Sequence, residues 1–566
     1  MLQSLLRLAR EKTWLLLLFC IAPVVIYIWV FKTIALNVNY VAFDDITILG
    51  IIPPFGDADL LERWKLLTDL FPEHRLVFSR SVILLLYGIF GEVNLVWPMI
   101  IANVCWALCA FFFYRAFSKL RISIWYFVPV LWLWFNIQSF ENIFWGVSSL
   151  CNFGVILFFL SALYFAAFHP KKLLAALFFA LAATFTYGNG LMVFPVIGLI
   201  YLLTGYRKQF LITLVTTVVV GIVYFIDFTP ITQNLDITNP KQVHEGFFGF
   251  FGFIGSIVTL TAYNTPYSIL YLASVFGMFF IGLLIFLYRK EFSKLWDSAF
   301  LKAPYANQTA LFAAGIAILV AITALALTYK RIPTDTFEGM FKGRYRMYSA
   351  LWCIALYYAF LALTTKVTVR KFVPGILVLT IILNLVILHS NFADAVNNRR
   401  AAIAQEFNAR FNADWLGLSM FSMDQQHYEK IRSYYKSRDP LAEGWNPDKK
   451  NLDIQCDSLL TPEIVEKVGN HIVIRFPQDF FKAERDYSDG PYILLKSAEH
   501  AYVSPPYQAA VPLKTTLRRL MYFSKGAYGS FHEATVEPGS YQVYLLVRKN
   551  GMNRIYCTGK TWEEKE

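Results

Sequence analysis

The sequence predicts an α-helical polytopic membrane protein with a β-rich, sandwich-like domain at its C-terminal end. Three observations carry this. Of 566 residues, 57% are hydrophobic and only 16% charged, with 52 phenylalanines. Uncharged runs recur from Trp14 to about His389, each of roughly 17–25 residues and so able to cross a hydrocarbon core as a helix. Beyond about residue 390 the chain turns polar, and short runs alternate apolar with polar residues.

The apolar runs read as about eleven spans, near 14–31, 94–114, 122–138, 149–168, 172–186, 189–204, 209–227, 267–288, 308–328, 347–365 and 372–389. Arg7, Arg10 and Lys12, just before the first of them, put the N-terminus in the cytoplasm by the positive-inside rule. The Arg115/Lys119/Arg121, Lys171/Lys172, Arg207/Lys208, Arg289/Lys290/Lys294 and Lys366/Arg370/Lys371 turns then fall inside as well. An odd count leaves everything after the last span outside. The segment Gly246–Ala262, apolar but short and glycine-rich, reads as a re-entrant or surface-lying piece of an outer loop; counted as a further span, it would invert the later basic turns. The net charge of +12 resides largely in these turns and does not point to nucleic acid. The expected division is a transmembrane domain at 1–390, with a first outer loop at 32–92, a helical connector at 391–455 and a β-rich extracytoplasmic domain at 456–566.

In the first outer loop, Asp57 or Asp59 can cap a helix beginning at Leu60, because a short acid satisfies the free N–H groups of a helix start. Leu60, Leu61, Trp64, Leu67 and Phe71 then share one face, as suits a helix lying on the membrane surface. Ser81–Phe90 is a second helix too short to span. In the tail, His471–Phe476, Tyr492–Lys496 and Tyr541–Val547 alternate as strands between Pro/Gly-containing turns, and Asp394–Asn412 and Gln425–Lys436 have helical character. Cys456 and Cys557 are the only cysteines of the tail: an outer compartment permits a bridge between them, while two distant buried thiols is the alternative. Cys105 and Cys109, one helical turn apart in a span, have no further metal-binding side chain nearby and read as small hydrophobes.

Four constellations carry chemistry. Asp44 and Asp45 stand just beyond the first span, where lipid head groups meet water. They are either loop acids that end a helix or the base of a reaction on a lipid-linked substrate. Glu73-His74-Arg75, with Arg80, can form a phosphate site, since arginine offers a planar fork of donors and histidine can shuttle a proton; the alternative is a solvated turn. Lys330, Arg331, Lys342, Arg344 and Arg346 form a basic group on a side where the orientation rule disfavours one. Binding a lipid phosphate gives it a reason, with Gly343 allowing close backbone approach and Tyr345 available to a sugar ring. Glu141, Asn142 and Trp145, and Tyr187–Gly190, are outer turns of the kind that line sugar sites or populate the aromatic belt. Phosphate-loop, zinc-protease, serine-hydrolase and dinucleotide fingerprints are all missing from the sequence.

Taken together, the single N-terminal span, the acid pair in a long first outer loop, Glu-His-Arg before a short helix, Phe-Lys-Gly-Arg-Tyr-Arg-Met-Tyr before a late span and the outer tail resemble the GT-C class of bacterial membrane glycosyltransferases over roughly residues 1–390. The resemblance implies a multi-pass protein of the bacterial cytoplasmic membrane that moves a sugar from a polyprenyl-phosphate donor to a glycan or lipid acceptor at the outer face. It puts the base at Asp44 or Asp45, with Glu73, His74, Arg75, Arg80, Lys342, Arg344, Tyr345 and Arg346 around the donor phosphate. It implies no certain cofactor: a divalent metal can sit on paired carboxylates, but no further acidic cluster supports one. A lipid-linked-sugar transporter and a polysaccharide polymerase or ligase are the competing expectations.

Overall fold

The computed structural model describes residues 13–35, 45–71, 73–230, 233–260, 265–412, 430–431, 433–435, 441, 456–469, 471–476, 487, 489–505, 507–524, 527–532 and 536–564. The chain forms two compact units. The first holds Met1–Ile28, Asp57–Val82 and Met99–Leu388; the second holds Trp29–Gly56, Ile83–Pro98 and His389–Glu566.

In chain order the helices are α1 (Thr13–Ala35), α2 (Asp45–Leu49), α3 (Ile52–Asp57), α4 (Leu60–Thr68), α5 (Val77–Phe90), α6 (Val96–Ser118), α7 (Val128–Trp134), α8 (Phe140–Ile143), α9 (Gly146–Phe168), α10 (Leu173–Thr184), α11 (Val193–Leu203), α12 (Arg207–Tyr224), α13 (Pro240–Gly255), α14 (Tyr267–Tyr288), α15 (Phe292–Ala299), α16 (Gln308–Asp335), α17 (Arg346–Leu363) and α18 (Lys366–Asn412). A short α19 (Leu513–Arg519) lies in the tail, and a hairpin of β1 (Leu70–Phe71) and β2 (His74–Arg75) separates α4 from α5.

Among the described residues, eight helices are long and apolar enough to span: α1, α6, α9, α12, α14, α16, α17 with the turn before it, and α18. The protein is therefore a polytopic membrane protein. The other three expected spans are shorter helices, Ile124–Trp134, Leu173–Thr184 and Gly188–Leu203. At about 1.5 Å per residue, α10 reaches only about 18 Å, well short of a hydrocarbon core of about 30 Å. Hydropathy measured the apolar length of these segments correctly but did not register their breaks. Parity alone consequently does not fix the side of the tail.

The breaks are lined with buried amides, as hydrocarbon requires: a broken helix leaves carbonyls that no lipid can satisfy. Asn384 donates to the carbonyls of Trp132 (2.7 Å) and Phe135 (2.9 Å) at the end of α7. Gln138 donates to those of Ser256, Ile257 and Thr259 just beyond α13. The glycine-rich segment is helical over most of its described length and is not among the helices long and apolar enough to span. Gly246, Gly249, Gly252 and Gly255 form the buried face of α13, and a Cβ on Gly255 would lie 2.0 Å from the Ala273 carbonyl oxygen of α14. Small residues on one face let two helix backbones touch.

In the second unit, β3 (Ser458–Leu459), β4 (Ile464–Val468), β5 (His471–Phe476), β6 (Gly490–Lys496), β7 (Ala501–Ser504), β8 (Ala527–His532), β9 (Gly539–Lys549) and β10 (Met552–Glu564) make two sheets, ordered β3-β10-β9-β6-β7 and β4-β5-β8. Ile472, Ile474 and Phe531 of the smaller sheet share one core with Ile493, Tyr502, Val543 and Leu545 of the larger. The alternation in the sequence reported this inward face. A Cys456–Cys557 disulfide ties the chain before β3 to β10. The expected helix at Asp394–Asn412 is continuous with the last span in α18, because no breaker separates them. On it, the Asn408 side chain pairs with both backbone groups of Val503 (2.8 and 2.7 Å), covering part of edge strand β7. The expected helix at 425–436 lies mostly outside the described residues.

Candidate functional site

The first unit assembles a cationic, aromatic-lined site from four separate stretches. The first begins at α4, whose start is capped as the sequence indicated: the Asp59 carboxylate accepts from the Glu62 N–H at 2.8 Å. Leu60, Leu61 and Trp64 are exposed, as a surface-lying face requires. Where α4 ends, its carbonyls are taken up by two arginines. Arg75 donates to the carbonyls of Thr68 (2.6 Å), Tyr224 (2.9 Å) and Ile226. Arg80 donates to those of Leu67 (3.1 Å) and Asp69 (2.6 Å). Both guanidinium groups thus fasten helix C-termini, where cations satisfy open carbonyls and the negative end of the dipole.

This fastening holds His74, the other residue of β2, against the turn at Tyr187–Asn189. The His74 and Tyr187 rings lie 4.3 Å apart. Gly188 admits the imidazole: a Cβ there would sit 2.6 Å from Nδ1 of His74 and 3.3 Å from the Tyr224 hydroxyl. Nδ1 of His74 and the Tyr224 hydroxyl are both buried, and neither has a side-chain hydrogen-bond partner among the described residues. Burial, reinforced by the positive charge of Arg331 and opposed by Glu73, pushes the His74 pKa down to about 4. The imidazole is neutral at pH 7.

The third stretch is the basic segment. The sequence suggested a loop from 330, whereas α16 continues to Asp335 and carries Lys330 and Arg331 on its last turns. It ends at Thr336, a β-branched residue at φ 58°, ψ −171°, a backbone region that is costly for anything but glycine. Two tight 3-10 turns, Phe337–Phe341 and Gly343–Tyr345, then lead into α17. Lys330 faces Glu73 at 3.8 Å, and Lys342 pairs with Asp335 at 2.7 Å. Arg346 is buried and donates to the carbonyls of Phe341 (3.0 Å) and Thr259 (3.3 Å).

Arg344 differs from these. Its main chain is what anchors it: its N–H donates to Oε2 of Glu141 (3.1 Å), and its carbonyl accepts from the Asn142 amide (2.7 Å). Gly343 permits this contact, since a Cβ there would be 3.1 Å from the Glu141 carboxyl carbon. The guanidinium lies 5.9 Å from the Trp145 ring and 5.4 Å from the Tyr345 ring. Arg331 and Arg344 both act electrostatically on Tyr187 and Tyr345. Asn189 completes the wall, donating to the Tyr348 hydroxyl at 2.7 Å.

Of the residues singled out in the sequence, Glu73, His74, Lys342, Arg344 and Tyr345 belong to this neighbourhood, whereas Arg75, Arg80 and Arg346 are bound to main-chain carbonyls. Asp45 opens α2 in the second unit and is fully buried; Asp44 lies outside the described residues. Glu141, Asn142, Trp145, Tyr187 and Asn189, which the sequence offers either to a sugar site or to the aromatic belt, are brought into the same neighbourhood. Their nearness to Arg344 and His74 is a tertiary fact with no local signature. Among the described residues, no group of three His, Cys, Asp or Glu side chains is placed to hold a metal ion. Cys109 instead donates to the Cys105 carbonyl within α6. No protein-family model, curated protein or solved structure matches the chain.

Proposed function

We propose that the chain is a membrane glycosyltransferase that takes a sugar from a polyprenyl-phosphate donor and transfers it to a glycan or lipid acceptor. The observation supporting this is the gathering of Arg331, Arg344, His74, Tyr187, Tyr345 and Trp145 in one place, where guanidinium groups meet aromatic faces. Planar guanidinium groups match phosphate oxygens, and their charge stabilises a departing lipid phosphate as the glycosidic bond breaks. Aromatic faces and the amides of Asn142 and Asn189 suit a sugar. Such a reaction also needs a carboxylate to take the acceptor hydroxyl's proton as that oxygen attacks the anomeric carbon, the role that the sequence gives to the Asp44–Asp45 pair, and attack opposite the leaving phosphate inverts that centre. The Cys456–Cys557 bridge supports an oxidising, extracytoplasmic setting for the tail.

Lys330 and Arg331 sit within a helix long enough to span. They follow the apolar run at its end, and ionisable residues along a spanning helix can line a transport path, so translocation of a lipid-linked sugar is the second reading. Purified protein in vesicles, given a polyprenyl-phosphate sugar, separates the two. Transfer that disappears in Asp44→Asn/Asp45→Asn and weakens in Arg344→Ala supports the enzyme. Movement across the bilayer without transfer, unchanged in the Asp variants, overturns it.

A further inference from the structure

Away from that site, the segment between α14 and α16 forms α15, a surface helix that hydropathy gave no reason to expect. Phe292, Leu295, Trp296, Ala299 and Phe300 recur at the spacing of a single helical face, with Lys294, Asp297 and Ser298 on the other. At eight residues α15 cannot cross a bilayer. Its aromatic face is left outward: Phe292 is 50%, Trp296 64% and Phe300 60% exposed. Between this face and Leu203 at the end of α11 lies an open cleft of about 500 Å³, lined by Leu203, Phe292, Ser293, Leu295, Trp296 and Ala299. That volume is in the range of sites that hold small apolar ligands.

The stretches that flank the cleft-lining residues in sequence are rich in cations. Arg207 and Lys208 open α12 one turn beyond Leu203, and Arg207 reaches the Leu301 carbonyl at 3.5 Å. Arg289 and Lys290 precede α15, with Lys294 and Lys302 on it and after it. The only acids in these stretches are Glu291 and Asp297, which pair with Lys294 (3.0 Å) and Lys302 (3.2 Å). Arg207, Lys208, Arg289 and Lys290 are exposed and make none of the ion pairs found among the described residues. An apolar cleft beside a surplus of exposed positive charge fits a molecule with a hydrocarbon chain and an anionic head.

We propose that this cleft binds an anionic phospholipid of the surrounding bilayer, with one acyl chain along Leu203, Leu295 and Trp296 and the phosphate among Arg207, Lys208 and Lys290. A peptide segment or a second copy of the chain offers no such charge pairing, whereas an acidic lipid leaflet supplies both the chain and the charge. The site is independent of the transferase reading.

The full-length protein in vesicles, photolysed with phosphatidylglycerol carrying a diazirine in its acyl chain, tests this. The expected result is label on the peptide 292–302, displaced by unlabelled phosphatidylglycerol, but not by phosphatidylcholine or by soluble glycerol phosphate. In Arg207→Gln and Lys208→Gln, half-displacement should need about fivefold more lipid per cation removed, the factor for about 1 kcal/mol per basic residue near an anionic surface. Trp296→Ala should lower labelling while the charge preference persists. Equal displacement by phosphatidylcholine, displacement by glycerol phosphate, or label confined to the long spans overturns the proposal. So does a cross-linked dimer through α15, which would make the cleft an interface between copies.

Discussion

Arg75, Arg80 and Arg346 on one side, and Arg331 and Arg344 on the other, belong to the same unit and the same few stretches of sequence, yet their surroundings are opposite. The first three point their donors at main-chain carbonyls where helices stop or turn. They are structural cations, and their charge is the means by which broken helices survive away from water. Arg344 is held by its own backbone, and its guanidinium faces rings. An arginine whose side chain is not needed to hold it in place is available to a ligand. The contrast separates positioning from binding more sharply than burial does, because both groups are largely shielded.

The largest expected effect falls on the carbonyl-bound group. Arg346→Ala strands the buried Phe341 carbonyl, at about 1–3 kcal/mol without a partner, and leaves the Thr259 carbonyl with Gln138 as its donor. Arg75→Ala strands as many as three carbonyls. Both variants should lose most of their folded yield in detergent, read as monodisperse protein on size exclusion. Normal yield with lost donor binding would move these arginines into the binding group and dissolve the distinction.

Arg344→Ala should behave in the reverse way. The main-chain bonds to Glu141 and Asn142 persist, so folded yield and melting temperature stay near wild type. A charged hydrogen bond to phosphate is worth roughly 1.5–3 kcal/mol, so the apparent KM for a polyprenyl-phosphate sugar should rise about ten- to a hundredfold. Kinetics and thermal melting on one preparation measure both halves of the statement.

Between these extremes stands Gly188→Ala. The added methyl would overlap Nδ1 of His74, and forcing an imidazole aside in a packed region costs about 1–3 kcal/mol. Melting should fall by that order, and His74→Ala in the same background should recover part of the loss. A melting temperature unchanged by Gly188→Ala would show that His74 does not hold its position against the turn.

His74 also carries a pH signature. With its folded pKa depressed to about 4 from an ordinary 6.5, the unfolded chain binds the extra proton first. This group's contribution to stability is therefore full above about pH 6.5 and declines as pH falls toward 4. His74→Phe should flatten the melting profile in that window and leave it unchanged near pH 8. An identical slope in the variant would assign the acid lability to other groups.

How much of this was legible beforehand follows a physical line. In the tail, β5 was readable because period-two alternation reports its inward face, β6 and β9 because they are apolar runs between turn residues that the fold buries on both faces, and the cap at Asp59 because capping is local. The basic segment was visible as charges in an unexpected place. Its helical half was not, since Lys330 and Arg331 lie beyond the apolar run although α16 continues through them. The turns at 139–148 and 187–190 were readable as gaps between apolar runs, whereas the early end of α7 at Trp134 was hidden because the Asn384 amide supports it from a distant part of the chain. The same holds for Glu141 beneath Arg344, 203 residues away along the chain. Contacts of that separation leave no trace in a local pattern.

The smallest effect belongs to Lys330, and it tests where the binding group ends. Its ammonium sits 3.8 Å from Glu73, and its side chain is 28% exposed. A partly solvated pair at that distance is worth about 0–1 kcal/mol. Lys342, by contrast, is held by Asp335 at 2.7 Å and braces the two tight turns that present Arg344. Lys330→Gln should therefore shift melting by less than about 1 kcal/mol and the donor KM by no more than a few-fold. Lys342→Gln should do more, acting through kcat as Arg344 loses its bearing and not through melting. If Lys330→Gln instead matched Arg344→Ala in KM, the phosphate-facing group would extend along α16. Lys330 and Arg331, adjacent near the end of a helix long enough to span, would then argue for a path through the membrane, and the translocation reading would take precedence over transfer.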